Sequence, residues 1–148
     1  QSGFDHKMFW SKCGGHDHTV LVMRIRGTNE ITGGYNPLEW SMKQNGYMRT
    51  ENSFLFSLKN GKQKSIVSRV RKDKVDEAIY ICRSHGPKFG KRDMFMGKTF
   101  NSVEKNDQCK CKFKNYQVKI RSTKKFSIDE YEVFQVFRKF DMYPPSSQ

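Results

Sequence analysis

Apolar and polar residues alternate along much of the chain, and the period of that alternation predicts which segments are extended. From Thr19 to Arg26, Leu21, Met23 and Ile25 fall on one side, while Val20, Val22, Arg24 and Arg26 fall on the other. This predicts a strand with one buried face and a second face that becomes exposed. Gly27, Thr28 and Asn29 then turn the chain into a second strand over Glu30 to Tyr35. That strand contains Gly33 and Gly34, and paired glycines in a strand mark a bulge or a place where another backbone comes close. Phe54, Leu55, Phe56 and Leu58 form a nearly continuous apolar run within Glu51 to Lys59, followed by Asn60-Gly61 and an extended stretch from Ser65 to Val70. An Asn-Gly pair between two such runs is a strong hairpin signal.

Further short extended pieces are predicted at Ala78 to Cys82, Asp93 to Met96, Tyr116 to Ile120 and Tyr131 to Val136, with His85 to Gly90 as a loop. Helical spacing occurs near the start, where Phe4, Met8, Phe9 and Cys13 recur before Gly14 and Gly15 stop the helix. About eight short strands with one helix predict a mostly β (α+β) chain, a two-layer antiparallel β sandwich flanked by short helices.

Composition narrows this picture. A chain of 148 residues has room for one hydrophobic core. The expected domain runs over residues 1–140, and 141–148, with Pro144 and Pro145, form a flexible tail. Twelve Phe supply large side chains for a β-rich interior. Uncharged apolar stretches such as Val20 to Met23 are far short of the roughly 20 residues of a membrane-spanning helix. Four cysteines, two of them in the pair Cys109 and Cys111, do not make a disulfide framework, so a reducing, cytoplasmic setting is expected. The formal net charge is +13 and concentrates in two basic stretches, Lys62 to Lys74 and Lys110 to Lys125. Such a balance attracts acidic protein surfaces or polyanions.

Four motifs occur in a particular order: GTNEITGGYNPLEW from Gly27 to Trp40, SFLFSLKNG from Ser53 to Gly61, HGPKFG from His85 to Gly90, and YEVFQV from Tyr131 to Val136. This set resembles a TLDc domain, particularly the versions that follow BTB or kelch-type segments, and the resemblance covers Gly3 to Phe137. It implies a β sandwich flanked by helices, protection against oxidative damage and, in several members, binding to the peripheral stalk of the vacuolar proton pump. The resemblance implies a helix and a strand before Gly3 in complete members, and their absence from this stretch is expected to expose a sheet edge. An upstream BTB or kelch-type segment is expected in the full chain.

The resemblance supplies no catalytic residues and no cofactor. Its recurrent features correspond to Gly33 and Gly34, Phe89 and Gly90, and Glu132, of which the glycines and Glu132 become candidates for partner contact. For the glycines a second reading stands beside this, that each only supplies a backbone conformation forbidden to side chains. Trp40, after a Pro-containing turn, is read either as core or as an exposed binding anchor. Glu132 is read as a buried or interfacial anchor, or as a solvated edge residue.

Four other chemistries bear on residues of this chain. Cys13, His16 and His18, the Cys82/His85 pair and the Cys109/Cys111 pair offer metal-ligand types, but without the well-spaced pairs of a structural zinc site, so no metal is expected. Cys109 and Cys111 lie among Lys110, Lys112 and Lys114, which favours thiolate and makes them candidates for a thiol-based antioxidant reaction. Nucleic-acid binding is permitted by the charge, yet no RNA- or DNA-binding signature is present and the aromatic residues read as core. The carboxylates Asp129, Glu130 and Glu132 fall in a strand that can equally be a solvated edge, and no nucleophile elbow is present, so an enzyme is not expected.

Overall fold

The computed structural model describes residues 4–59, 64–100, 109–112, 114–121 and 125–138. The chain begins with helix α1 (His6–Cys13) and continues through β1 (Thr19–Ile25), β2 (Ile31–Asn36), β3 (Gly46–Met48), β4 (Phe54–Leu58) and β5 (Ile66–Arg69). A 3-10 helix (Lys72–Glu77) follows, then β6 (Ile79–Ile81), β7 (Lys88–Phe89), β8 (Met94–Phe95), β9 (Cys109–Lys110), β10 (Lys125–Phe126) and β11 (Ile128–Gln135). The strands form two sheets, a five-stranded one in the order β11-β1-β2-β4-β5 and a six-stranded one in the order β10-β9-β8-β7-β6-β3. All the pairings are antiparallel, so the architecture is the expected two-layer antiparallel sandwich.

Register explains where the core lies. Leu21 stands opposite Gly34, and Gly34 opposite Leu55, so one row of the first sheet points inward together. Leu21, Met23, Ile25 and Leu55 meet Ile79, Ile81, Phe89, Met94 and Phe126 of the second sheet, all of them buried. The alternation predicted for β1 is present, with Val20 and Val22 only half-buried and Arg24 exposed on the outward side.

Helix α1 packs onto the core of the sandwich. The Asp5 carboxylate accepts a hydrogen bond from Met8 N at 2.9 Å and caps the first turn, while Gly14 N donates to Trp10 O at 2.9 Å as the helix stops. Its buried side chains are Phe9, Trp10 and Cys13, a spacing that lays one face on the core. Phe9 and Trp10 pack edge-on against Trp40, with ring centroids 5.2 and 5.9 Å away.

Several expectations need correction. The loop predicted for His85 to Gly90 contains β7, whose two residues pair with β6 and β8. The alternating residues Tyr116 to Ile120 do not form a strand; one isolated bridge joins Tyr116 to Val70, and Gln117 N donates to Arg69 O at 2.8 Å. Beyond that bridge the segment is held by side chains, as Ser68 Oγ both donates to Val118 O and accepts from Val118 N. Strand β3 and the 3-10 helix have no counterpart in the sequence reading. The Asn60-Gly61 turn and the tail at 141–148 lie outside the described residues.

Ion pairs differ sharply in setting. Arg49 and Asp76 approach to 2.6 Å with side chains 59% and 80% exposed, where solvent screens the pair and it adds little to stability. Arg121 and Glu30 approach to 2.8 Å with only 9% and 14% exposure. The Glu30 carboxylate also accepts from Thr32 Oγ1 and Ser57 Oγ, each at 2.8 Å, so its burial is matched by several donors.

Candidate functional site

The residues proposed for partner contact are not gathered in one place. Gly34 points inward, where an added Cβ would lie 2.8 Å from both Leu55 Cδ2 and Phe89 Cζ; its bareness lets the two sheets close. Gly33 faces outward in the next row, and a Cβ there would overlap the Leu21 carbonyl oxygen and approach the Phe56 ring to 2.6 Å. Gly90 has φ +63°, donates its N–H to Ala78 O at 2.8 Å, and has no room for a Cβ beside the Asp93 carboxylate. All three glycines therefore have a packing or conformational duty in the isolated domain.

Trp40 is corrected as an exposed anchor. It is 1% exposed, surrounded by Phe9, Trp10 and Phe89, with Nε1 donating to Thr19 Oγ1 at 2.8 Å. Glu132 is the one of the five that reaches solvent, so it is not a buried anchor. It stands on β11 opposite Val22 of β1.

The cysteines are corrected in a similar way. Cys109 and Cys111 are both buried, whereas Lys110 between them belongs to the opposite face. Burial pushes the Cys109 thiol up to about 12, and it pushes the Cys111 thiol further in the same direction in spite of nearby Arg121. Cys13 is buried too, its thiol pushed up to about 11 by desolvation with Lys12 opposing. Desolvation thus dominates at both thiols, and Lys110, the one neighbouring lysine within β9, lies on the opposite face of the strand. Cys82 is less buried and its Sγ lies 2.9 Å from Ser84 Oγ. Among the described residues no group of three His, Cys, Asp or Glu side chains could hold a metal ion.

What sequence reasoning missed is a polar hub at Asp93. Its buried carboxylate accepts backbone N–H groups from Lys114, Asn115 and Tyr116, each at 2.9 Å. Desolvation holds its pKa above the usual carboxylate range, with those hydrogen bonds opposing. Tyr116 completes the hub, its hydroxyl donating to Ala78 O at 2.8 Å and lying 2.7 Å from Ser53 Oγ. No local pattern links residues that are more than twenty positions apart, so only the fold reveals this arrangement.

Solvent-facing apolar surface lies on the outside of the five-stranded sheet. Register puts Val20, Val22, Ile31, Tyr35, Phe54, Phe56, Leu58, Val67 and Phe134 on that side. Leu58, Val67 and Phe134 are 47%, 56% and 52% exposed. Tyr35 and Phe54 stack loosely at 5.4 Å, and Phe56 covers the bare Gly33. A depression of about 180 Å³ opens between Val22, Ile31 and Phe134, rimmed by Arg24, Glu130 and Glu132. A contiguous apolar face with a polar rim is the usual form of a protein-contact surface.

An antiparallel β sandwich with three of its four thiols buried and an apolar outer sheet face is the class these features define. The chain belongs to the TLDc family, whose model, described as the TLDc domain, matches residues 1–137. The family is associated with oxidation resistance. No curated protein matches the chain. No helix among the described residues is long and apolar enough to cross a membrane.

Proposed function

We propose that this chain is a protein-interaction module, acting in oxidative-stress resistance by docking a partner and not by catalysis of its own. The observation that carries the reading is the exposed apolar face of the β11-β1-β2-β4-β5 sheet, with Val67 at 56% and Phe134 at 52% exposure. Burying such a face against a partner releases about 25 cal/mol for each Å² of apolar area removed from water. Membership of the TLDc family points to the peripheral stalk of the vacuolar proton pump as the partner, and a cytoplasmic setting follows from that partner. The net charge of +13 would steer encounter with an acidic surface without fixing the docked pose.

Thiol-based peroxide reduction is less well supported, since burial keeps Cys13, Cys109 and Cys111 protonated and out of reach of solvent. The test uses purified stalk subunits and the chain immobilised on a sensor. Wild type is expected to bind, and Val67→Asp with Phe134→Asp to lose at least about tenfold in affinity while remaining folded. If the chain instead forms a dimer that the same pair of substitutions disperses, the face belongs to a second copy and the reading fails.

A further inference from the structure

The outside of the six-stranded sheet carries a different pattern. One residue from every strand falls in a single rung: Tyr47 opposite Tyr80, Tyr80 opposite Lys88, Lys88 opposite Phe95, Phe95 opposite Lys110, and Lys110 opposite Lys125. Their strand neighbours Ile79, Phe89, Met94, Cys109 and Phe126 are buried, so alternation sends the whole rung to the solvent side. With strands spaced about 4.8 Å apart, the rung extends roughly 24 Å across the sheet.

Among the described residues no carboxylate forms an ion pair with Lys88, Lys110 or Lys125. Lys110 and Lys125 stand directly opposite each other, an arrangement that destabilises an antiparallel pair unless an anion lies between them. Lys88 is half-buried, its Nζ 4.2 Å from the Tyr80 ring centroid and 5.8 Å from that of Phe95. Desolvation lowers its pKa, and Arg92 lowers it further, so a carboxylate arriving there would relieve an unfavourable charge.

We propose that this rung binds an extended acidic segment of a partner protein, with its carboxylates on Lys88, Lys110 and Lys125 and its apolar side chains against Tyr47. About seven extended residues at roughly 3.4 Å each span the distance. Single-stranded nucleic acid fits less well, because stacking needs free ring faces. The Tyr80 ring already lies under Lys88 and is stacked with His85 at 6.1 Å and 22°, while Phe95 takes the His85 ring at 4.8 Å and 74°. Tyr47 is also engaged, edge-on with Tyr80 at 4.7 Å. The assignment rests on the reading of the chain as a protein-binding module but uses the opposite sheet, so the two can fail separately.

The experiment measures fluorescence anisotropy of a fluorescein-labelled Glu-rich heptapeptide against the whole chain at about 0.15 M salt. Replacing Lys88, Lys110 and Lys125 together by Gln should weaken binding by roughly tenfold or more. The same charge removed from Lys12, Lys43 and Lys72, which are exposed elsewhere, should weaken it by less than about twofold. Val67→Asp with Phe134→Asp should leave peptide binding unchanged, which separates this site from the apolar face. Should the triple variant unfold, exposed Lys125→Glu alone must still reduce binding with an unaltered melting curve. Equal losses in the two triple variants would reduce the effect to net charge and overturn the site. Tighter binding of a thymidine oligonucleotide than of the peptide, lost in the rung variant, would overturn the choice of a protein segment.

Discussion

At Gly34 the two sheets come close enough that a methyl group would press on Leu55 and Phe89 at 2.8 Å. Gly34→Ala is expected to cost about 1–3 kcal/mol, the usual penalty of overpacking, since those side chains can shift slightly. Gly33→Ala should cost more, because the obstacle is the Leu21 carbonyl in the backbone of β1, which cannot retreat without breaking the ladder between β1 and β2. Urea unfolding of the two variants checks this order, and a Gly33→Ala protein as stable as wild type would contradict the close approach. A loss of partner binding in Gly34→Asp would accordingly report on folding first. The cysteines give a second residue-level expectation. Cys82 should react first with iodoacetamide near neutral pH, and Cys13, Cys109 and Cys111 only as the domain opens, because those three are buried. Mass spectrometry of partly labelled protein reads this order, and early labelling of Cys109 would remove the argument against thiol chemistry.

Between elements, the segment 114–121 depends on one carboxylate. Asp93, just before β8, gathers the N–H groups of Lys114, Asn115 and Tyr116, and the following residues cover the side of β5 through Arg69 and Ser68. In Asp93→Asn, one carboxylate oxygen becomes an NH₂ group that meets donors with donors. The expected loss is about 2 kcal/mol, with faster proteolysis confined to this segment. Limited digestion followed by mass analysis would show it, and uniform protection would contradict the hub. The same elements show how far the sequence could be read. Strand β1 was legible because Leu21, Met23 and Ile25 alternate over seven residues, and β4 because four apolar residues crowd into five positions. Strand β7 was hidden because its Lys88 and Phe89 sit between Pro87 and Gly90, residues that mark loops when tertiary pairing is unknown. Tyr116 to Ile120 misled in the opposite sense. Its alternation is real, since Tyr116 and Ile120 are buried, but side-chain bonds from Ser68 and Asp93 replace a backbone ladder.

Across the whole molecule, the family was legible from four ordered motifs, while the surfaces were not. Motif residues such as Trp40, Gly34 and Gly90 turn out to organise the interior, and the outward-facing residues become visible only once both sheets have a register. The two sheets then present unlike faces to solvent, one apolar around Val67 and Phe134, the other cationic and aromatic from Tyr47 to Lys125. Two unlike faces suit a module that joins a partner through a dry contact and an acidic segment together. The central claim concerns the dry contact, and the most direct measurement is the affinity of purified proton-pump stalk for wild type and for Val67→Asp with Phe134→Asp, with thermal melting as the control for folding. The account predicts binding by wild type and a loss of at least about tenfold in the variant at an unchanged melting temperature. Equal affinity in the two proteins, or no binding by wild type, would contradict it.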